Sequence, residues 1–462
     1  MAPGNIQHVL SLLGAHEDRN LHCFHFTPPE NSMSPLARLP FVLDGYGRYH
    51  FAGKYNFHGA RELGAIEQQI LIPLLRKQAR ARHVSVRPLS GLNCMTAAVA
   101  GLCPPGGTVL SVPADAGGHM STPAVVERLG ARVIDLPMRD PHEVDLVALE
   151  ALLHGHQPAL VYLDQSSQLF PIDPRPIRDL LDRWSPATLI HYDSSHTNGL
   201  ILAGALPNPL ERGADCFGGS THKTLPGPHK AFLATNSADV AARLHPHLEN
   251  LISQHQMAGV ASLAITLIEL EECGGADYAA AVLANARALA RALDRRGLDV
   301  VARDRGYTGC HQVWLALPDG ADVETCVEGL YRCGLVVNSF DGLPGVPRPA
   351  LRLSVSEVTR LGAAEEDMDR FGAILASSIR RTEDEVVLRS QVRRLRSQLS
   401  APRYCFDVTG EARQGLSPRL EIFAERLQEL LTAPATTDGD APPIHPLAES
   451  RASNGSPPRP HR

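Results

Sequence analysis

Four short β-rich runs, residues 108–113 (TVLSVP), 131–137 (ARVIDLP), 158–164 (PALVYLD) and 187–193 (ATLIHYD), alternate with stretches of helical spacing. Parallel neighbours in a sheet need long crossover connections, usually helices, so the alternation predicts an α/β layer with a mostly parallel sheet. Residues 84–103 (VSVRPLSGLNCMTAAVAGLC) read as strand, turn and helix of that layer. Residues 61–81 read as a helix from the spacing of Leu63, Ile66, Ile70 and Leu74. Farther on, 298–304, 311–318, 334–340 and 350–356 read as strands of a smaller α+β unit, followed by a helix over 365–380.

The flanks differ from this core. Residues 1–20 predict an amphipathic helix with Ile6, Val9, Leu10, Leu12 and Leu13 on one side. Residues 21–58 are rich in Pro, Gly and aromatics, as in segments that lie over a surface or a partner subunit. The expected organisation is a helix and interface segment (1–58), a large domain (59–270), a small domain (271–385), a charged helical extension (386–432) and a disordered Pro- and Ser-rich tail (433–462).

The 462 residues are 44% hydrophobic with a formal net charge of −6, which allows a large core and argues against nucleic acid or an anionic membrane as partner. No apolar run reaches the roughly 20 residues of a membrane helix. The N-terminus lacks a basic n-region and a long apolar h-region. Nine scattered cysteines form no CxxC pair. The expectation is a cytoplasmic protein with reduced, mostly buried thiols and no metal site.

Chemistry concentrates between His191 and Lys230. Asp193 ends an apolar run, His196 follows it, and Lys223 sits in Ser-Thr-His-Lys-Thr thirty residues after Asp193. A carboxylate closing a strand and a lysine in a small, hydroxyl-rich turn are what pyridoxal 5'-phosphate requires. The carboxylate keeps a proton on the pyridine nitrogen, and the lysine forms the Schiff base. Ser90-Gly91-Leu92 opens the helix after a strand, where backbone N–H groups and a hydroxyl suit a phosphate, and Ser220 adds a second hydroxyl.

The Asp-x-x-His and Thr-His-Lys-Thr pair resembles the serine hydroxymethyltransferase-like branch of the fold-type I pyridoxal phosphate enzymes. The resemblance covers roughly residues 22–380. It implies an aspartate aminotransferase-like large domain, a small α+β C-terminal domain, and a homodimer with shared active sites. It also implies roles. His119 of Asp-Ala-Gly-Gly-His stacks on the pyridine ring, and His196 sits beside the phenolic oxygen. Arg352 of Ala-Leu-Arg-Leu-Ser grips the amino-acid carboxylate. Glu30 of Pro-Glu-Asn-Ser contacts substrate, and His222 orders substrate or moves protons. Tyr46, Tyr49 and Tyr55 are the candidates to reach a neighbouring subunit's phosphate.

The departures matter as much. The family's Tyr-x-Glu-Gly-Tyr-Pro-Gly, whose glutamate handles protons in folate chemistry, is reduced to Leu43-Asp44-Gly45-Tyr46-Gly47. The stretch after the lysine has become Leu-Pro-Gly-Pro-His-Lys-Ala, and the loop before Arg352 is short. A kept cofactor site with eroded pterin machinery is similar to the L-threonine transaldolases of antibiotic pathways. These cleave threonine to acetaldehyde and add the glycine carbanion to a second aldehyde, giving a β-hydroxy-α-amino acid. His222, His119 and Glu30 are the candidates for the retro-aldol base. The alternatives are a folate-dependent serine or 2-methylserine hydroxymethyltransferase, a threonine aldolase, and a non-catalytic protein of the same fold.

Overall fold

The computed structural model describes residues 4–51, 58–318, 320–407 and 417–432; Tyr55 and the 433–462 tail lie outside these described residues. The large sheet has seven strands: β1 (His83–Ser85), β2 (Thr108–Ser111), β3 (Arg132–Asp135), β4 (Leu160–Asp164), β5 (Leu189–Asp193), β6 (Cys216–Ser220) and β7 (Ala231–Thr235). They lie in the order β1-β7-β6-β5-β4-β2-β3. Only β7 runs antiparallel to its neighbours.

Alternate residues along each strand enter opposite layers. Val109, Leu160 and Tyr162 pack with Val99 and Leu244 on one face. Leu110, Val161 and Leu163 pack with Leu181 and Leu267 on the other. A sheet buried on both faces explains why its strands read as continuous apolar runs.

Two strands, β6 and β7, were not visible as such in the sequence. The β6 segment is Cys-Phe-Gly-Gly-Ser, poor in β-formers. Its glycines are there for space, because a β-carbon on Gly218 would collide with the carbonyl of Phe232 on β7.

The helix expected over 61–81 runs from Arg61 to Ala79, with a π turn at Glu67–Leu71. The extra residue rotates the buried stripe onto Leu71, Leu75 and Ala79, and leaves Ile70 exposed. The small domain holds an antiparallel sheet of β8 (Asp299–Val300), β9 (Gln312–Ala316), β10 (Asn338–Phe340) and β11 (Ala350–Ser354), ordered β8-β9-β11-β10. The helix Asn5–Asn20 buries none of its residues within the chain, and Ile6, Val9, Leu10, Leu12 and Leu13 are exposed. All nine cysteines are unpaired. No described helix is long and apolar enough to cross a membrane.

Candidate active site

Strands β4 and β5 end together, with Asp164 opposite Asp193 and Tyr162 opposite His191. The period of two puts all four side chains on one face, under the helix Gly91–Leu102. Asp193 Oδ2 accepts the Tyr162 hydroxyl at 2.9 Å, and Oδ1 accepts the Ser195 N–H at 2.9 Å. Gly219 on β6 has φ +141°, and a β-carbon there would stand 2.8 Å from Asp193 Oδ1, so this position needs glycine.

Ser90 caps the helix: its Oγ accepts the Asn93 N–H at 3.2 Å. The first turn then meets two hydroxyls. A β-carbon on Gly91 would collide with Ser220 Oγ, and the Ser220 N–H donates to Ser195 Oγ at 2.9 Å. Between this helix end and the strand ends lies a cavity of about 220 Å³. It is lined by Gly91, Leu92, His119, Asp193, His196, Ser220, His222 and Lys223 from the sequence reading, and by Met95, Asp164, Gln165, Ser166 and Ser195 besides.

Lys223 lies in the turn after β6, where Asn31 Nδ2 donates to its carbonyl at 2.6 Å. Burial lowers its pKa to about 8 against the opposing pull of Asp193. His222 stacks on His229 with centroids 3.7 Å apart, and its Nδ1 is buried with no hydrogen-bond partner among the described residues. Burial, then His229 and Lys223, bring the His222 pKa to about 3, so its imidazole is neutral. His119 donates its backbone N–H to Asp164 at 3.2 Å, while its Nδ1 accepts the Ser121 N–H. Burial lowers its pKa as well. His196 lies 3.3 Å from His311 of the small domain, both buried and both held neutral by desolvation.

Arg352, at the centre of β11, reaches back to the large domain. Its Nε and Nη2 donate to Asn338 Oδ1 at 3.1 and 2.8 Å. Its Nη1 donates to the Ser166 carbonyl at 2.8 Å and to Ser167 Oγ at 3.0 Å, and Phe340 stacks on the guanidinium at 4.8 Å. Arg352 thus ties β11 to the segment that follows β4.

Five residues from the sequence reading do not line this cavity: Glu30, Ser90, Arg352, Tyr46 and Tyr49. Glu30 accepts from Thr27 and pairs with His25 at 3.2 Å, and it does not line this cavity. Ser90 uses its hydroxyl as the helix cap. Tyr46 and Tyr49 line a separate groove with Phe41 and His229. The residues that sequence reasoning missed are Tyr162, Asp164, Ser195 and His311. For Asp164 a signal existed, since residues 158–164 end in aspartate after an apolar run just as 187–193 do.

The serine hydroxymethyltransferase profile matches residues 44–375, most of the chain. The chain belongs to the serine hydroxymethyltransferase family. Its relatives include transaldolases as well as hydroxymethyltransferases. An L-threonine:uridine-5'-aldehyde transaldolase from Amycolatopsis sp is 38% identical over 367 residues, covering 78% of this chain and 89% of the relative. One from Streptomyces sp is 39% identical over the same shares. The serine hydroxymethyltransferase of Pyrobaculum arsenaticum is 32% identical over 92% of this chain and 100% of its own length. Among solved structures, the L-threonine transaldolase of Pseudomonas fluorescens in its internal aldimine state matches with a TM-score of 0.79 and 27% identity, over 92% of this chain and 97% of that one. Fold and family make this member a fold-type I pyridoxal phosphate enzyme of carbon–carbon bond chemistry.

Proposed function

We propose that the chain is an L-threonine transaldolase. It cleaves threonine to acetaldehyde and joins the remaining glycine unit to a second aldehyde, giving a β-hydroxy-α-amino acid. The observation that carries this reading is the 38–39% identity to uridine-5'-aldehyde transaldolases around an intact cofactor cavity.

The cavity fits pyridoxal phosphate on its own geometry. Gly91 keeps space open between a helix N-terminus and the Ser195 and Ser220 hydroxyls, where a phosphate belongs. Asp193 offers a strand-end carboxylate for the ring nitrogen, and His119 and His196 flank the space between. Lys223, with its pKa near 8, is the residue to hold the cofactor covalently. When bound, the cofactor supplies a conjugated ring that takes up the electron pair freed at the substrate Cα.

Arg352 orients the threonine carboxylate, and Phe340 packs against its guanidinium. His222 accepts the β-hydroxyl proton as the Cα–Cβ bond breaks, and returns it to the new oxygen when the acceptor aldehyde adds. Of the three bases considered, His222 is the one that lines the cavity with a buried, unpartnered ring nitrogen. His119 is engaged by Ser121, and Glu30 by His25 and Thr27. Asp44, which stands nearest the family's folate-handling glutamate, is exposed and doubly bonded to Arg48 at 2.7 and 2.6 Å.

The acceptor named for the relatives, uridine-5'-aldehyde, is the first to try. The working unit is a homodimer, which the exposed apolar face of the helix Asn5–Asn20 favours; light scattering at working concentration checks it, and a monomer would contradict it. The activity is tested by comparing kcat/KM for threonine cleavage without folate against serine cleavage with tetrahydrofolate. The transaldolase reading expects the first to dominate; dominance of the second returns the chain to hydroxymethyl transfer.

A further inference from the structure

Asp164 is the carboxyl group of this site that no other residue's chemistry explains. It is 2% exposed, it lines the cavity, and its Oδ1 is buried without a hydrogen-bond partner among the described residues. Its Oδ2 is fully engaged, accepting the Thr122 hydroxyl and the His119 backbone N–H. The register sets it directly beside Asp193 on β5.

The other titratable groups around it are Tyr162 on its own strand, Asp193 on β5, and His119, His196, His222 and Lys223 lining the same cavity; no ion pair reaches it among the described residues. Two adjacent carboxyl groups in a dry site do not both ionise. Asp193 has a hydroxyl donor and a backbone donor and faces the position of the ring nitrogen, so the charge belongs there.

We propose that Asp164 is a positioning residue that works as an un-ionised acid: it ties the His119 backbone to the cavity floor, carries its proton on Oδ1, and leaves Asp193 the only anion there. Burial, with the neighbouring Asp193 adding to it, pushes the Asp164 carboxyl well above the usual carboxylate range. The assignment rests on the cofactor reading of the same cavity. Its consequence is that a ring nitrogen held at Asp193 would meet one negative charge rather than two, beside a His119 whose backbone is fixed by the Asp164 bond.

The test uses Asp164→Asn and Asp164→Ala in the full chain. Asparagine copies the neutral acid, with a carbonyl for the His119 and Thr122 donors and an N–H in place of the O–H. Infrared difference spectra of wild type minus Asp164→Asn, recorded with and without cofactor at neutral pH, should show the carbonyl band of a protonated carboxyl. The pH midpoint of the cofactor's visible absorbance should be unchanged in Asp164→Asn, and its kcat should stay within about twofold of wild type. Asp164→Ala should lose about tenfold in kcat, the equivalent of one lost hydrogen bond to a positioned group, with a smaller change in KM.

A carboxylate band in place of the acid band overturns the proposal. So does a midpoint in Asp164→Asn displaced by about one pH unit, the size of a missing neighbouring charge. If wild type takes up no pyridoxal phosphate, the cofactor reading fails, and the infrared band of the cofactor-free protein still decides the state of Asp164.

Discussion

Tyr162 donates its hydroxyl to Asp193 Oδ2 at 2.9 Å, from the neighbouring strand and through a fully buried side chain. His191 stacks on the same ring at 4.9 Å, and burial holds its pKa at about 4, so the packing beneath Asp193 is neutral. Replacing Tyr162 with Phe leaves Asp193 Oδ2 short of a donor. Threonine turnover should fall about tenfold, the effect of a hydrogen bond to a charged group worth about 1.4 kcal/mol. Unchanged turnover with normal cofactor loading would mean that this bond does not support Asp193.

Lys223 should show its lowered pKa directly. Burial disfavours its charged form, so the free amine appears as pH rises through about 8 rather than through the usual lysine range. The rate at which cofactor-free protein takes up pyridoxal phosphate should therefore climb up to about pH 8 and then level. By the same linkage, the stability cost of burying a charged Lys223 is present below pH 8 and is relieved as pH rises above it. A loading rate still climbing steeply at pH 10, near the unperturbed lysine value of about 10.4, would contradict the assignment.

Arg352 already commits four of the five N–H groups of its guanidinium, two of them to one oxygen of Asn338. A substrate carboxylate therefore either takes the one remaining N–H or displaces Asn338. Arg352→Lys should raise the threonine KM by at least about tenfold, because an ammonium cannot reproduce the fork. Asn338→Ala should change KM more than kcat. Equal KM values in all three proteins would remove Arg352 from substrate binding.

His222→Asn should lower kcat for threonine cleavage by roughly a hundredfold, within the usual range for a general base, while cofactor binding persists. Because the His222 pKa lies near 3, this group adds no acid limb to the pH–rate profile between pH 5 and 8. A mutant with wild-type kcat would pass the base role to another group.

The parallel layer was legible because runs such as 158–164 and 187–193 are buried on both faces and carry few polar residues. Asp193 and Lys223 were legible because few other residue types perform their chemistry. The strand Cys216–Ser220 was hidden because its glycines answer to a neighbouring backbone rather than to local propensity. Asp164 ends its run as Asp193 does, but its pairing with Asp193, like that of His311 with His196, was hidden for a related reason. These pairings are fixed by strand register and by domain packing across gaps of 29 and 115 residues, which no local pattern encodes.

The most direct test of the transaldolase reading follows the threonine carbons. Threonine labelled at Cα and the carboxyl carbon is incubated with the cofactor-loaded enzyme and uridine-5'-aldehyde, without folate. The account predicts acetaldehyde release matched mole for mole by a new β-hydroxy-α-amino acid carrying both labels. Labelled free glycine with no label in any product of the acceptor, across a panel of aldehydes, or no acetaldehyde at all, would contradict it.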